Sequence, residues 1–159
     1  METTTRPVNT EVDTTPPAPG DLELVRGFLS LHDHVDGTRD SLPPSSETIE
    51  WWLRERGLLT VDETPDDADL RWAARVLEAL RSPVGENMGE PPDPDSIHAL
   101  DRAARETELS VDFGGKALRP EAAGVRGAVG RILAVAFLAE LDGSWSRFKE
   151  CSSPTCRAV

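Results

Sequence analysis

Two cysteines, Cys151 and Cys156, form a Cys-x4-Cys pair near the end of the chain. Nearby cysteines outside a disulfide-rich scaffold point to metal binding or redox chemistry. A closed structural zinc site needs four soft or imidazole ligands in a tetrahedron, so this pair supplies half of one. His32, His34 and His98 could complete such a site, but nothing in their spacing requires it. Tight zinc binding by this chain alone is therefore not expected, and two thiols on a tail would be open to oxidation.

The second cluster is His32-Asp33-His34. Two imidazoles flanking a carboxylate can ligate a metal or exchange protons. Polar loops collect such residues without chemistry, and that is the reading preferred here. The chain has no H-E-x-x-H, G-x-S-x-G or phosphate-binding glycine loop, so no nucleophile or metal centre of an enzyme is found. Gly124, Gly127 and Gly130 recur every three residues beside Arg119, Arg126 and Arg131. Arginines at a helix amino terminus can hold an anion. Without a preceding strand the glycines more simply allow close packing. Trp51 and Trp72 fall off the main apolar stripes of their helices, whereas Trp52 lies on one. Packing is the simplest account of all three. His32, Asp33, Trp51, Trp72 and Arg126 are the candidate lining of a ligand pocket.

These residues need a scaffold, and hydrophobic periodicity outlines a helical one. Residues 1–19, rich in Thr, Pro and Glu, are expected to be a disordered tail. Leu22, Val25, Phe28 and Leu29 mark a first helix with Asp21 as its cap. The stretch from His32 to Pro44 reads as a loop. Ser45 or Ser46 caps a short helix with Ile49, Trp52 and Leu53 inward, stopped by Gly57. Asp66 or Asp67 opens a third helix with Leu70, Ala73, Ala74, Leu77 and Leu80 on one face. Four prolines and two glycines make Ser82 to Pro94 a surface loop. Asp93 or Asp95 caps a fourth helix with Ile97, Leu100 and Ala104 inward. Leu109 to Phe113 alternates at period two, and Gly114-Gly115 supplies the positive φ of a hairpin turn before Lys116 to Arg119. A last helix from about Pro120 to Leu141, with Val125, Val129, Ile132, Leu133, Ala136 and Phe137 on its apolar face, is apolar enough to be central. The fold class expected is α+β, mainly α-helical: a helical domain with one small β-hairpin.

Composition sets the limits. A chain of 159 residues with 38% hydrophobic residues can build one core without disulfides. Its net charge of −12, with only two lysines, opposes binding to a phosphate backbone. No apolar run reaches the roughly 18 to 20 residues of a membrane span, and the amino terminus lacks the pattern of a secretory signal. The compartment expected is the cytoplasm, with no membrane partner.

The run Leu118 to Leu133, followed by Gly143-Ser-Trp-Ser-Arg-Phe-Lys-Glu-Cys-Ser-Ser-Pro-Thr-Cys156, resembles the junction between the ABATE domain and the zinc finger of the CGNR family, bacterial transcription regulators. Pro19 to Phe28 and Trp52 to Leu59 are similar to earlier parts of that domain. The most specific piece is Trp-x-Arg-Phe-Lys-x-Cys-x4-Cys. One departure is Ser30, where the family usually has Asn.

The resemblance implies an ABATE-like helical domain over residues 20–142 and the start of a finger over 143–159, a partial zinc-ribbon stub at the carboxyl end. It implies that Cys151 and Cys156 are the first two zinc ligands. The other two ligands and the basic DNA-reading surface would then lie outside this chain. Zinc would be bound by the intact family protein, and DNA would be a partner through that missing finger. The function expected is the regulatory domain of a transcription regulator, sensing a small molecule or a protein partner. The alternative is a free-standing small-molecule or protein binding module, and an enzyme built on the His32 region ranks last.

Overall fold

The computed structural model describes residues 21–34, 41–149 and 159. The tail 1–19 and both cysteines lie outside the described residues. The elements in chain order are α1 (Leu22–Leu29), β1 (Asp33–His34), β2 (Ser41–Leu42), α2 (Ser46–Glu55), α3 (Asp67–Glu86), α4 (Pro94–Glu106), β3 (Leu109–Asp112), β4 (Ala117–Pro120) and α5 (Gly124–Asp142). A 3-10 turn, Ser144–Arg147, follows α5. The fold is mainly helical α+β, as the periodicities required. No helix among the described residues is long and apolar enough to cross a membrane.

α5 is the axis. It touches α1, α3, α4, β4 and the 3-10 turn. Val125, Val129, Ile132 and Leu133 are buried together with Ala128, Ala134, Ala136 and Ala139. Each large side chain so buried contributes about 1.5–3 kcal/mol. The small ones bring neighbouring elements close. A Cβ on Gly130 would sit 2.5 Å from Pro120 Cβ and 3.0 Å from Thr107 Cβ. Of the three spaced glycines, Gly130 is therefore the one that lets α5 pack closely, against β4 and the end of α4, while a Cβ on Gly124 would meet open space. Around this axis, Phe28 and Leu29 of α1, Ile49 and Leu53 of α2 and Leu77 of α3 are fully buried.

Local signals work at most helix ends. Thr48 N–H donates to Ser45 Oγ (3.2 Å), Ala68 N–H to Asp66 Oδ1 (2.7 Å) and Asp95 N–H to Asp93 Oδ1 (3.1 Å). Each such cap contributes about 1 kcal/mol. Asp21 occupies the cap position of α1 without a side-chain cap bond. α2 ends in a Schellman motif: Leu58 N–H donates to Leu53 O (2.9 Å), Gly57 N–H to Arg54 O (3.0 Å), and Gly57 has φ +70°.

Four sequence expectations are corrected. Residues 32–44 contain a short antiparallel pair, with Asp33 opposite Leu42 and His34 opposite Ser41. The stretch from Ser82 is helical as far as Glu86, with Pro83 inside α3. An interior proline costs about 3 kcal/mol in lost hydrogen bonding and clash. Tertiary contacts offset it: Val84 is fully buried, and Asn87 Nδ2 donates to Trp145 O (2.8 Å) and Phe148 O (2.9 Å). At the β3–β4 turn neither glycine has a left-handed φ, and Lys116 takes it instead at φ 52°. A Cβ on Gly115 would meet only the carboxylate end of Asp112 and the guanidinium of Arg119, side chains that can move aside. The last helix begins at Gly124, since residues 117–120 pair with β3 in the register Leu109–Pro120 through Asp112–Ala117.

Candidate functional site

The sequence candidates divide between two places. Trp72 and Arg126 come together where α3, α4 and α5 meet. Trp72 is buried, and its Nε1–H donates to Glu106 Oε2 at 2.5 Å. The Arg126 guanidinium lies 5.1 Å above the Trp72 ring and bonds Asp69 Oδ1 at 3.3 Å. Cation, indole and two carboxylates satisfy one another. The cluster fastens three helices, and all its groups are engaged.

His32 and Asp33 stand instead at the entrance to α2. Asp33 Oδ1 accepts from Thr48 Oγ1 (2.6 Å), and its Oδ2 accepts from Ser45 N–H (3.1 Å). Its carboxylate thus lies at the positive end of a helix, a favourable place for it. His32 Nδ1 lies 2.7 Å from Ser30 O, and the His32 and His34 rings meet edge to face at 4.9 Å. Trp51, on α2, is half-buried against the core. Cys151 and Cys156 lie outside the described residues. Among the described residues no group of three or more His, Cys, Asp or Glu could hold a metal ion.

A different site emerges from the fourth helix. Periodicity puts Ile97, Leu100 and Ala104 on its inner face, but only Ala103 of α4 is buried. Ile97 is 43% exposed, and Phe137 of α5, also expected in the core, is 52% exposed. Their stripes face each other across a cavity of about 460 Å³. That lies in the range of small-molecule sites, about 300–1,000 Å³. Leu80 and Pro83 of α3, Leu109 and Leu118 of the hairpin, and Leu133 and Ala136 of α5 complete its apolar wall. Ala104 and Ala136 are why the space exists: a longer side chain at either would take up part of it.

The polar groups of this cavity are few. Glu86, Asp101 and Glu140 line it, and the described lining includes no Arg, Lys or His. Burial, and then the neighbouring Glu86 carboxylate, push the Glu140 carboxyl above its ordinary value. Trp145 also lines the cavity. It is 3% exposed, and its indole N–H meets no acceptor among the described residues. Buried donors are nearly always paired, and leaving one unpaired costs about 1–3 kcal/mol. The ring itself is well held, edge to face with Phe148 at 5.0 Å.

Sequence reasoning missed this site because its residues come from six elements, α3, α4, β3, β4, α5 and the 3-10 turn, with no shared motif. A usable signal was the pairing of two apolar stripes with alanines at facing positions. Comparison with protein-family models, with curated proteins and with solved structures gives no match. The functional reading therefore rests on these residues.

Proposed function

We propose that this helical domain is the sensing half of a two-part regulator, taking a small, largely apolar molecule in the cavity between α3, α4, β3–β4 and α5. The observation that carries the reading is the double position of Trp145. Trp145 lines the cavity, and its shielded indole N–H meets no acceptor among the described residues. It is also the first residue of the Trp-x-Arg-Phe-Lys-x-Cys run that leads to Cys151. Asn87 of the same region holds the Trp145 and Phe148 carbonyls. A ligand touching Trp145 therefore bears directly on the segment that enters the cysteine pair. Only a differential contact of this kind can shift a downstream equilibrium.

In this reading Cys151 and Cys156 open a zinc finger of the CGNR type, completed by ligands beyond these two, and DNA is contacted through that finger. The net charge of −12 supports the division of labour, because the acidic part would repel the duplex that the finger binds. The second reading, a free-standing binding module, is favoured by the same cavity, whose described lining apart from Trp145 comes from residues 80–140.

Titration with N-phenyl-1-naphthylamine, a neutral apolar fluorophore, tests the cavity. One saturable site per chain is expected, and it should disappear in an Ala104→Trp variant of unchanged circular dichroism. Absence of saturable binding would overturn the proposal. Salt-sensitive DNA binding by the native protein from its source separates the two readings. Its absence would leave the free-standing module.

A further inference from the structure

Resting on the reading of this cavity as a ligand site, we infer that its ligand is a monocationic amphiphile: an apolar body with a protonated amine. Two observations converge. The wall is built from aliphatic side chains of α3, α4, the hairpin and α5, which select an apolar body. Every charged residue in the described lining is acidic, namely Glu86, Asp101 and Glu140. An anionic ligand would add like charge to that set, whereas an ammonium group neutralises part of it.

The raised pKa of Glu140 fits this account. Partial burial, and secondly the Glu86 carboxylate, leave its charged form less well stabilised than in water. A bound cation would relieve that imbalance. The Trp145 face can also attract a cation, provided the amine approaches within about 6 Å of the ring.

The test uses three matched probes on the full 159-residue chain, each carrying the same ether oxygen: 4-phenoxybutylamine, 4-phenoxybutanol and 4-phenoxybutyrate. Affinities are read by isothermal titration and by displacement of N-phenyl-1-naphthylamine. The amine should bind at least about tenfold more tightly than the alcohol, and the acid most weakly. The preference should shrink from 0.05 to 0.5 M salt, roughly the interval over which the Debye length falls from above to well below 10 Å. A Glu86→Gln/Glu140→Gln variant should bring amine and alcohol close to parity. Both carboxylates are exposed at the surface, so the variant should fold, and Asp101→Asn provides a second route to the same comparison. If amine and alcohol bind equally at a site blocked by Ala104→Trp, the inference on charge fails and the cavity reading stands. If none of the three probes saturates, the inference fails. The fluorophore alone then decides whether the cavity reading falls with it.

Discussion

Gly130→Ala sets two effects of opposite sign against each other. In a helix interior, alanine is favoured over glycine by about 1 kcal/mol. If α5 were a surface helix, the variant would therefore be more stable. Gly130 is buried, however, and the new Cβ would lie 2.5 Å from Pro120 Cβ and 3.0 Å from Thr107 Cβ. Carbon atoms in contact prefer about 3.5–4.0 Å. One partner must give way by about 1 Å, and neither is free to do so. The backbone after Pro120 is tied to the end of α4 by Glu121 N–H to Glu108 O (3.1 Å) and Ala122 N–H to Thr107 O (3.3 Å). Overpacking of this kind costs about 1–3 kcal/mol, and in this rigid setting the upper half applies. The net expectation is destabilisation by about 1–2 kcal/mol, a fall in Tm of roughly 2–8 °C for a chain of this size. Calorimetry and urea titration followed by circular dichroism would measure it. Pro120→Gly removes the nearest obstacle, so a double-mutant cycle should show favourable coupling of at least about 0.5 kcal/mol. A single variant as stable as the parent, or an additive cycle, would refute the claim that α5 is seated on Pro120 and Thr107 through this glycine.

Two further predictions concern polar groups. Glu106→Leu should cost about 1–3 kcal/mol, because it strands the buried Trp72 N–H, whereas Glu106→Gln keeps an acceptor and should cost less. Equal urea midpoints for the two would contradict this role. The Glu140 carboxyl has a raised folded-state pKa, first through burial and then through Glu86. The folded state therefore holds that proton more tightly than the unfolded chain, so the protonated form favours folding. That advantage is complete below the ordinary glutamate value and is lost as pH rises through the raised one. Glu140→Gln should accordingly melt above the parent at pH 7 and together with it near pH 4. A constant difference at both pH values would show that the effect is not one of charge.

The chain's own residues dictated a good deal of this outcome. The starts of α2, α3 and α4 were legible within a residue or two, because capping is a contact between neighbours: Ser45 to Thr48 and Asp66 to Ala68 need nothing from elsewhere. Gly57 as a helix stop, the β3–β4 hairpin and the central place of α5 were legible for similar reasons, through backbone sterics and hydrophobic period. The candidate site was not. Periodicity marks Ile97, Leu100, Ala104 and Phe137 as core, but they line the cavity instead, with Ile97 and Phe137 exposed. Whether such a stripe becomes core or cavity wall depends on the volume that the opposing elements supply. Here Ala104 and Ala136 supply too little to close the gap. The same distinction separates Pro83, which local rules read as a helix breaker, from its actual place inside α3, where Val84 and Asn87 hold the last turn. Local rules describe what each segment prefers, because caps, turns and amphipathic stripes are interactions of short range along the chain. Only the tertiary structure sums the volumes and contacts of α3, α4, α5 and the hairpin, and the cavity is the remainder of that sum.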